Sequence, residues 1–172
     1  MTNDSKSEMG KKSKLAGCQF ELRVMHDLEE KGWIVSKWQN NVEFGNCEVT
    51  KVNGEKAMDI KKGELIPAKA AYGFNPRLKM RVPLTRSTGF PDFMVYKKAY
   101  KSIGESTDKV YEVIGVESKI NGALDREEKD KCKWLLDNGI FSKILIAEKR
   151  KLKNKVVVLY QDFKEKYWRF YK

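Results

Sequence analysis

Two short segments of this chain hold the residues best suited to chemistry. Asp92 stands directly before the apolar run 93–96, and Glu117 and Lys119 directly follow the apolar run 113–116. Both runs predict β-strands, and because strand side chains alternate between two faces, Glu117 and Lys119 project from the same one. If the strands are neighbours, Asp92, Glu117 and Lys119 converge at one point on a sheet.

Two carboxylates and an ammonium in that position predict a divalent-metal site. Mg²⁺, or Mn²⁺ in its place, takes oxygen ligands, so Asp92 and Glu117 would supply two and the Ser118 backbone carbonyl a third. Metal ions of this kind acidify bound water and polarise phosphates, which suits phosphodiester hydrolysis. Lys119 would orient the attacking water or help to deprotonate it.

A third carboxylate lies on a predicted helix. The pattern from Ser13 to Lys31 is helical and ends at Gly32, and its apolar side includes Val24 and Leu28. Glu21 falls inside this apolar arc. Because a buried carboxylate needs a partner, Glu21 either pairs with a cation or lies at the edge of an active site.

The net charge indicates the kind of partner. The chain has 35 Lys and Arg residues against 24 Asp and Glu, a formal charge of +11. Such an excess favours nucleic acid, although a lysine-rich surface without that function is the alternative. Region 61–90 interleaves basic and aromatic residues and is predicted to be either a nucleic-acid-gripping loop or a solvated loop without a ligand. Its candidate nucleic-acid-binding residues are Lys69, Arg77, Lys79, Arg81 and Arg86.

Several other chemistries are excluded or disfavoured by composition. The chain has one histidine, His26, which excludes mechanisms that need a pair, and it lacks a Gly-rich phosphate loop of the ATPase type. Its three cysteines fit no zinc or disulfide spacing. The absence of a long apolar run or secretory signal predicts a cytoplasmic protein, or a nuclear one in a eukaryote, without membrane partners.

The element pattern predicts an α/β protein with a mixed central sheet flanked by helices. Residues 1–12 are predicted to be a disordered basic arm, and 13–172 a single domain with an inserted hairpin or loop region at about 45–88. The turn pair Asn53-Gly54 favours a hairpin inside that insertion. Region 110–147 reads as strand, helix and strand, and predicts a right-handed parallel crossover.

The two acidic segments resemble the motif of the PD-(D/E)xK nuclease superfamily. Gly89-x-Pro91-Asp92 followed by Glu117-x-Lys119 carries the resemblance, and the loop 85–90 is similar to the Gly/Ser-rich segment that often precedes the Pro-Asp pair. Gly17-x-x-Phe20-Glu21 resembles the N-terminal helix of archaeal Holliday-junction resolvases, which brings an extra glutamate. The resemblance runs from about residue 17 to 147, with 45–88 poorly covered.

This resemblance implies a restriction-endonuclease-like core of the order αβββαβ and a Mg²⁺-dependent DNA endonuclease. It implies catalytic and metal-binding roles for Asp92, Glu117 and Glu21, with Glu21 binding directly or through a water, and a catalytic role for Lys119. A homodimer is expected, because a four-way junction needs two coordinated cuts. Glu128 and Lys131 lie where some relatives place a helix residue facing the site, although the glutamine common there is missing.

Two other functions stay open on the sequence. A homing or restriction-type enzyme would recognise a specific sequence, for example through region 61–90. A non-catalytic basic protein would bind nucleic acid while its acidic residues served the structure only.

Overall fold

A computed structural model describes residues 3–45, 51–52, 55–56, 63–68, 70–75, 77–87, 89–103, 106–153 and 155–167. The chain divides into two compact units. Unit 1 consists of residues 1–38 and 91–172, and unit 2 of residues 39–90. The insertion predicted at 45–88 therefore falls within unit 2, whose limits are wider by several residues on the N-terminal side.

Unit 1 has the order helix, three strands, helix, two strands and a short helix. Its elements are α1 (Asn3–Glu30), β1 (Ile34–Lys37), β8 (Phe93–Ile103), β9 (Ser106–Lys119), α2 (Arg126–Asp137), β10 (Lys143–Leu152), β11 (Lys155–Asp162) and α3 (Phe163–Tyr167). The intervening strands of unit 2 are β2 (Asn40–Phe44), β3 (Lys51–Val52), β4 (Glu55–Lys56), β5 (Gly63–Pro67), β6 (Ala70–Asn75) and β7 (Met80–Ser87).

The five strands of unit 1 form one mixed sheet in the order β1-β8-β9-β10-β11. β8 and β9 pair as a long antiparallel hairpin, and β9 pairs with β10 in parallel. The predicted strand–helix–strand unit is thus confirmed as a parallel crossover through α2; its handedness stays a prediction. The largely polar residues 97–103 and 106–108 continue the two strands of this hairpin.

Helix α1 covers one face of this sheet. Phe20, Val24 and Leu28 are buried against inward-facing residues of β8 and β9, such as Val95 and Val116. Burying that apolar stripe is what holds the helix on the sheet.

The start of α1 differs from the sequence-based expectation. The helix begins at Asn3, so the prediction of a disordered arm through residue 12 is wrong for residues 3–12. Half of these residues are good helix formers, including Lys11, Lys12 and Glu8, and they extend a helix that tertiary packing anchors further along.

Helix α2 packs against β10, and its Glu128 reaches Lys119 at the carboxyl end of β9. Its N-cap Asp125 and Glu128 form a capping box, in which each side chain accepts the other residue's backbone N–H. Cys132 and Leu135 are buried beneath the helix. The capping box fixes the first turn of α2 and with it the position of the Glu128 side chain.

Unit 2 consists of antiparallel pairs of strands. β2 pairs with β5, β3 with β4, and β6 with β7. Pairing of 51–52 with 55–56 confirms the predicted hairpin, whose turn Asn53-Gly54 lies outside the described residues. The prediction of a loop over 61–90 is wrong, because β5, β6 and β7 lie there. These strands contain glycine and proline, which suggested a loop but which two-stranded ribbons tolerate.

In the part of the chain that the structure describes, none of the helices has the length and apolar character needed to span a membrane.

Candidate active site

The β8–β9 hairpin brings the two acidic segments together. Phe93 lies opposite Val116, so Asp92 and Glu117 stand side by side where the two strands end. The Asp92 backbone N–H donates to Glu117 Oε2 at 3.0 Å. Gly115 makes this approach possible: a Cβ there would lie 2.9 Å from Pro91 Cγ, closer than real side chains pack.

Asp92 is held by Ser118. The Ser118 backbone N–H donates to Asp92 Oδ2 at 2.9 Å, and the Ser118 hydroxyl donates to the same oxygen. Burial raises the pKa of Asp92 above its ordinary value, the hydrogen bonds from Ser118 oppose this, and the nearby Glu21 carboxylate raises it further. The net result is a raised pKa, so the ionised form of Asp92 is less stable in the folded protein than in water.

Glu117 is the most deeply buried acid of the site. Its residue is 4 % exposed, and burial together with the Asp92 charge raises its pKa to about 8, although Lys119 acts in the opposite direction. This raised pKa favours the protonated form of Glu117 in the absence of a cation, whereas the ionised form is the one that pairs with Lys119. Two adjacent carboxylates that share too little positive charge behave in this way.

Lys119 lies between two acids. Its Nζ is 3.1 Å from Glu117 Oε1 and forms an ion pair with Glu128 on α2. Burial by itself would lower the pKa of Lys119, but the Glu117 charge and the hydrogen bonds to Glu128 and Glu117 outweigh it and raise the pKa. Lys119 thus remains an ammonium at neutral pH, which favours charge stabilisation over proton abstraction.

Glu21 approaches the site from α1 but is paired there with a lysine. Lys37 Nζ, at the end of β1, lies 2.7 Å from Glu21 Oε2. The first of the two predicted alternatives is confirmed, because Glu21 has a cationic partner, but the expectation that its carboxylate is buried is wrong, since the side chain is 37 % exposed. The Glu21 charge also acts on the pKa of Asp92, and its place at the edge of an active site stays a prediction.

The donor set suits a hard divalent cation. Buried Glu117 and half-buried Asp92 present adjacent carboxylate oxygens, and the pKa of each is raised first by burial and then by a neighbouring acid, so a bound cation would stabilise both in their ionised form. Among the described residues, no three His, Cys, Asp or Glu side chains are already grouped as a metal site. Asp92 and Glu117 lie together, while the Glu21 carboxylate is bound to Lys37.

Other predicted site residues lie elsewhere. Lys131 Nζ is 2.7 Å from Glu127 Oε1, whereas Glu128 reaches Lys119. The five basic residues of 61–90 belong to unit 2, where Arg77 and Lys79 are exposed between β6 and β7. Arg81 and Arg86 lie on β7, and Lys69 is outside the described residues. Their contact with nucleic acid stays a prediction.

Sequence reasoning missed two contributors to the site. Lys37 follows an unremarkable strand pattern, and only the pairing of Lys37 with Phe93 places it beside Asp92. The Ser118 side chain was assigned to the opposite face of β9, yet its hydroxyl reaches Asp92 because Asp92 precedes the strand rather than belonging to it. The only sequence feature that could have indicated this contact was the presence of a serine between Glu117 and Lys119.

Comparison with protein-family models, curated proteins and solved structures gives no match to this chain.

Proposed function

We propose that this protein is a metal-dependent endonuclease that hydrolyses phosphodiester bonds in DNA. The observation that carries the proposal is the pair of half-buried Asp92 and buried Glu117, joined at the end of a β-hairpin with the Lys119 ammonium 3.1 Å from Glu117. Two adjacent, largely desolvated carboxylates are unfavourable for folding alone, and groups with pKa values perturbed in this way often belong to functional sites.

The order of elements in unit 1 supports the same proposal. From α1 to β10, unit 1 runs helix, three strands, helix, strand, with unit 2 inserted after the first strand. The PD-(D/E)xK resemblance implied this order, with an acid before the second strand and Glu-x-Lys at the end of the third. Asp92, Glu117 and Lys119 stand at those positions, and we propose a restriction-endonuclease-like core on this basis.

Asp92 and Glu117 would hold Mg²⁺ or Mn²⁺ directly, with the Ser118 carbonyl and Glu21 as further candidate ligands. When bound, the ion supplies Lewis-acid activation of water and of the scissile phosphate. Ser118 orients Asp92 through its two hydrogen bonds. Glu117 must lose its proton before it can act as a ligand.

Lys119 has a defined task in this scheme. Because its pKa is raised, its ammonium stays charged and can donate to the phosphate oxygens or the leaving group as negative charge develops. Glu128 positions this ammonium, and the capping box in turn positions Glu128.

DNA is the proposed substrate because of the chain's charge of +11 and the exposed Arg77 and Lys79. The resemblance favours branched DNA and a homodimer. Both stay predictions, which cleavage of a four-way junction against linear duplex and a molar-mass measurement would check.

The test compares plasmid and four-way-junction cleavage by the wild type, Asp92→Asn and Glu148→Gln, in Mg²⁺ and in EDTA. Glu148→Gln is the matched control, because Glu148 is also buried but lies beside an arginine. We expect cutting by the wild type and Glu148→Gln in Mg²⁺ only, and none by Asp92→Asn. Cutting that survives EDTA or Asp92→Asn would refute the proposal, and tight DNA binding without cutting on any substrate would favour a non-catalytic binding protein.

A further inference from the structure

Lys37 is a second cation at the carboxylate site, in addition to Lys119. It ends β1, and its Nζ donates to Glu21 Oε2 at 2.7 Å. The same ammonium lies 4.3 Å from the centroid of the Phe93 ring, which holds it over the residue next to Asp92. Its charge also acts on Asp92, where it lowers the pKa. Lys37 thus faces both Glu21 and Asp92.

The Lys37–Glu21 ion pair is weak enough for a cation to separate its two side chains. The Lys37 side chain is 47 % exposed and that of Glu21 37 %, so water screens the pair and its contribution to stability is small. A divalent cation interacts more strongly than an ammonium with the same carboxylates. A lysine has a flexible four-carbon stem, and its ammonium can move to a new acceptor without any change in the strand.

We propose that Lys37 is the resident counter-ion of the carboxylate site, that a divalent cation displaces it from Glu21, and that the released ammonium then binds a phosphate of the DNA. This inference rests on the proposed function. It adds a residue to the site that the sequence motif does not contain, and it links cation binding to DNA binding.

A second lysine supplies a matched control. Lys31 follows α1 and forms an ion pair with Asp27, which lies on α1 as Glu21 does. Lys31 Nζ also lies 4.5 Å from the centroid of the Tyr160 ring, so Lys31, like Lys37, contacts one acid of α1 and one aromatic ring. Asp27 differs because its carboxylate also accepts the Tyr160 hydroxyl at 2.7 Å. The hydrogen bond between Tyr160 and Asp27 joins β11 to α1. We do not expect a cation at Asp92 to displace Lys31 from Asp27.

The first experiment is calorimetric titration of Ca²⁺ or Mn²⁺ into the full chain without DNA. We expect Lys37→Gln to bind the cation about three- to tenfold more tightly than the wild type. The substitution removes both the competition of Lys37 for Glu21 and the repulsion between the ammonium and the cation. Lys31→Gln should stay within about twofold, as expected for a surface pair away from the site. In a Glu21→Gln background most of the gain from Lys37→Gln should vanish, because the two residues act through one interaction.

The second experiment measures DNA binding by fluorescence anisotropy in Ca²⁺, with a short duplex as the probe. We expect Lys37→Gln to weaken binding about three- to tenfold relative to Lys31→Gln, because one phosphate contact is lost. Unchanged DNA affinity would overturn the phosphate role. Unchanged or weaker cation affinity in Lys37→Gln would overturn the counter-ion role, while a wild type that binds no cation would overturn the proposed metal site itself and this inference with it.

Discussion

Two glutamates on neighbouring strands of unit 1 are both buried, but their surroundings differ in charge. Glu117 on β9 is 4 % exposed and lies beside Asp92, whereas Glu148 on β10 is 8 % exposed and accepts the Arg150 Nε–H at 2.6 Å. Glu148 also packs against Gly122, whose φ of +66° and missing side chain leave room for it. Burial alone therefore does not mark a functional carboxylate. What distinguishes Glu117 is the neighbouring Asp92 charge, which adds to burial in raising its pKa, whereas Glu148 is paired with a cation.

The largest expected effect contrasts the two glutamates in cleavage. Glu117→Gln should lower the cleavage rate in Mg²⁺ by about a thousandfold or more, as removal of a central electrostatic group does. Glu148→Gln should leave the rate within about twofold, within the range of changes outside a catalytic site. Initial rates on supercoiled plasmid measure both, and a loss of similar size in Glu148→Gln would show that the comparison does not separate function from structure.

Gly122→Ala tests how tightly Glu148 is enclosed. A Cβ at Gly122 would lie 2.7 Å from Glu148 Oε2, and the positive φ adds backbone strain, so we expect a loss of about 2–4 kcal/mol in the free energy of unfolding. Urea denaturation followed by circular dichroism measures it.

Gly139→Ala is the control for that substitution. Gly139 also has a φ of +66°, but nothing lies within 4 Å of its Cβ position, so only the strain of about 1 kcal/mol should appear. Equal losses for the two variants would mean that the contact with Glu148 contributes nothing.

The pH dependence of stability should also separate the two glutamates. The pKa of Glu117 rises from 4.5 to about 8 on folding, so the folded protein without a cation holds a proton that the unfolded chain releases. Stability from this group is fully present below about pH 4.5 and is lost as the pH rises through about 8. Glu117→Gln should therefore exceed the wild type in stability by about 1–3 kcal/mol at pH 9 in EDTA, and by much less at pH 5.

Urea denaturation at the two pH values checks this, with Glu148→Gln expected to show no stabilisation because Arg150 loses the negative charge of its partner. A wild type as stable as Glu117→Gln at high pH in EDTA would argue against an unbalanced carboxylate pair. Addition of Mg²⁺ should restore the wild type's stability relative to Glu117→Gln, since the cation binds only the folded site.

The smallest expected effect concerns Glu128, which joins the capping box to Lys119. Glu128→Gln keeps an oxygen for the Asp125 N–H but removes the charge beside Lys119, so stability should change by less than about 0.5 kcal/mol while cleavage falls severalfold. Glu128→Ala removes both and should also lose about 1 kcal/mol of stability. Thermal unfolding and cleavage rates distinguish the two; equal cleavage by Glu128→Gln and wild type would assign Glu128 to the cap alone.

Local patterns were enough to predict much of unit 1. The strands around 93–96 and 113–116, the helix over most of 124–138 and the strand from 143 were all visible as apolar runs bounded by turn residues, and the structure has them. Unit 2 was harder to predict, because its strands are short and pair two by two instead of forming long apolar runs. Glycines and prolines in 61–90 suggested a loop, because these residues are common in turns and weaken the interior of a strand.

The candidate site divides along a similar line. Sequence alone identified Asp92, Glu117, Lys119 and Glu21, since side-chain alternation in strands and helical periodicity are local properties of the backbone. It also set the charge of +11 that makes nucleic acid the favoured partner.

Tertiary structure decided how those residues share charge. Only the folded sheet pairs Lys37 with Glu21 near enough to Asp92 to lower its pKa, gives Lys119 a second acid in Glu128, and leaves Glu117 with a raised pKa while Glu148 lies beside Arg150. The reason is that a pKa and an ion pair depend on distances between residues far apart in the chain and on the water excluded around them. Neither quantity is fixed until the strands have paired and the helices have covered them.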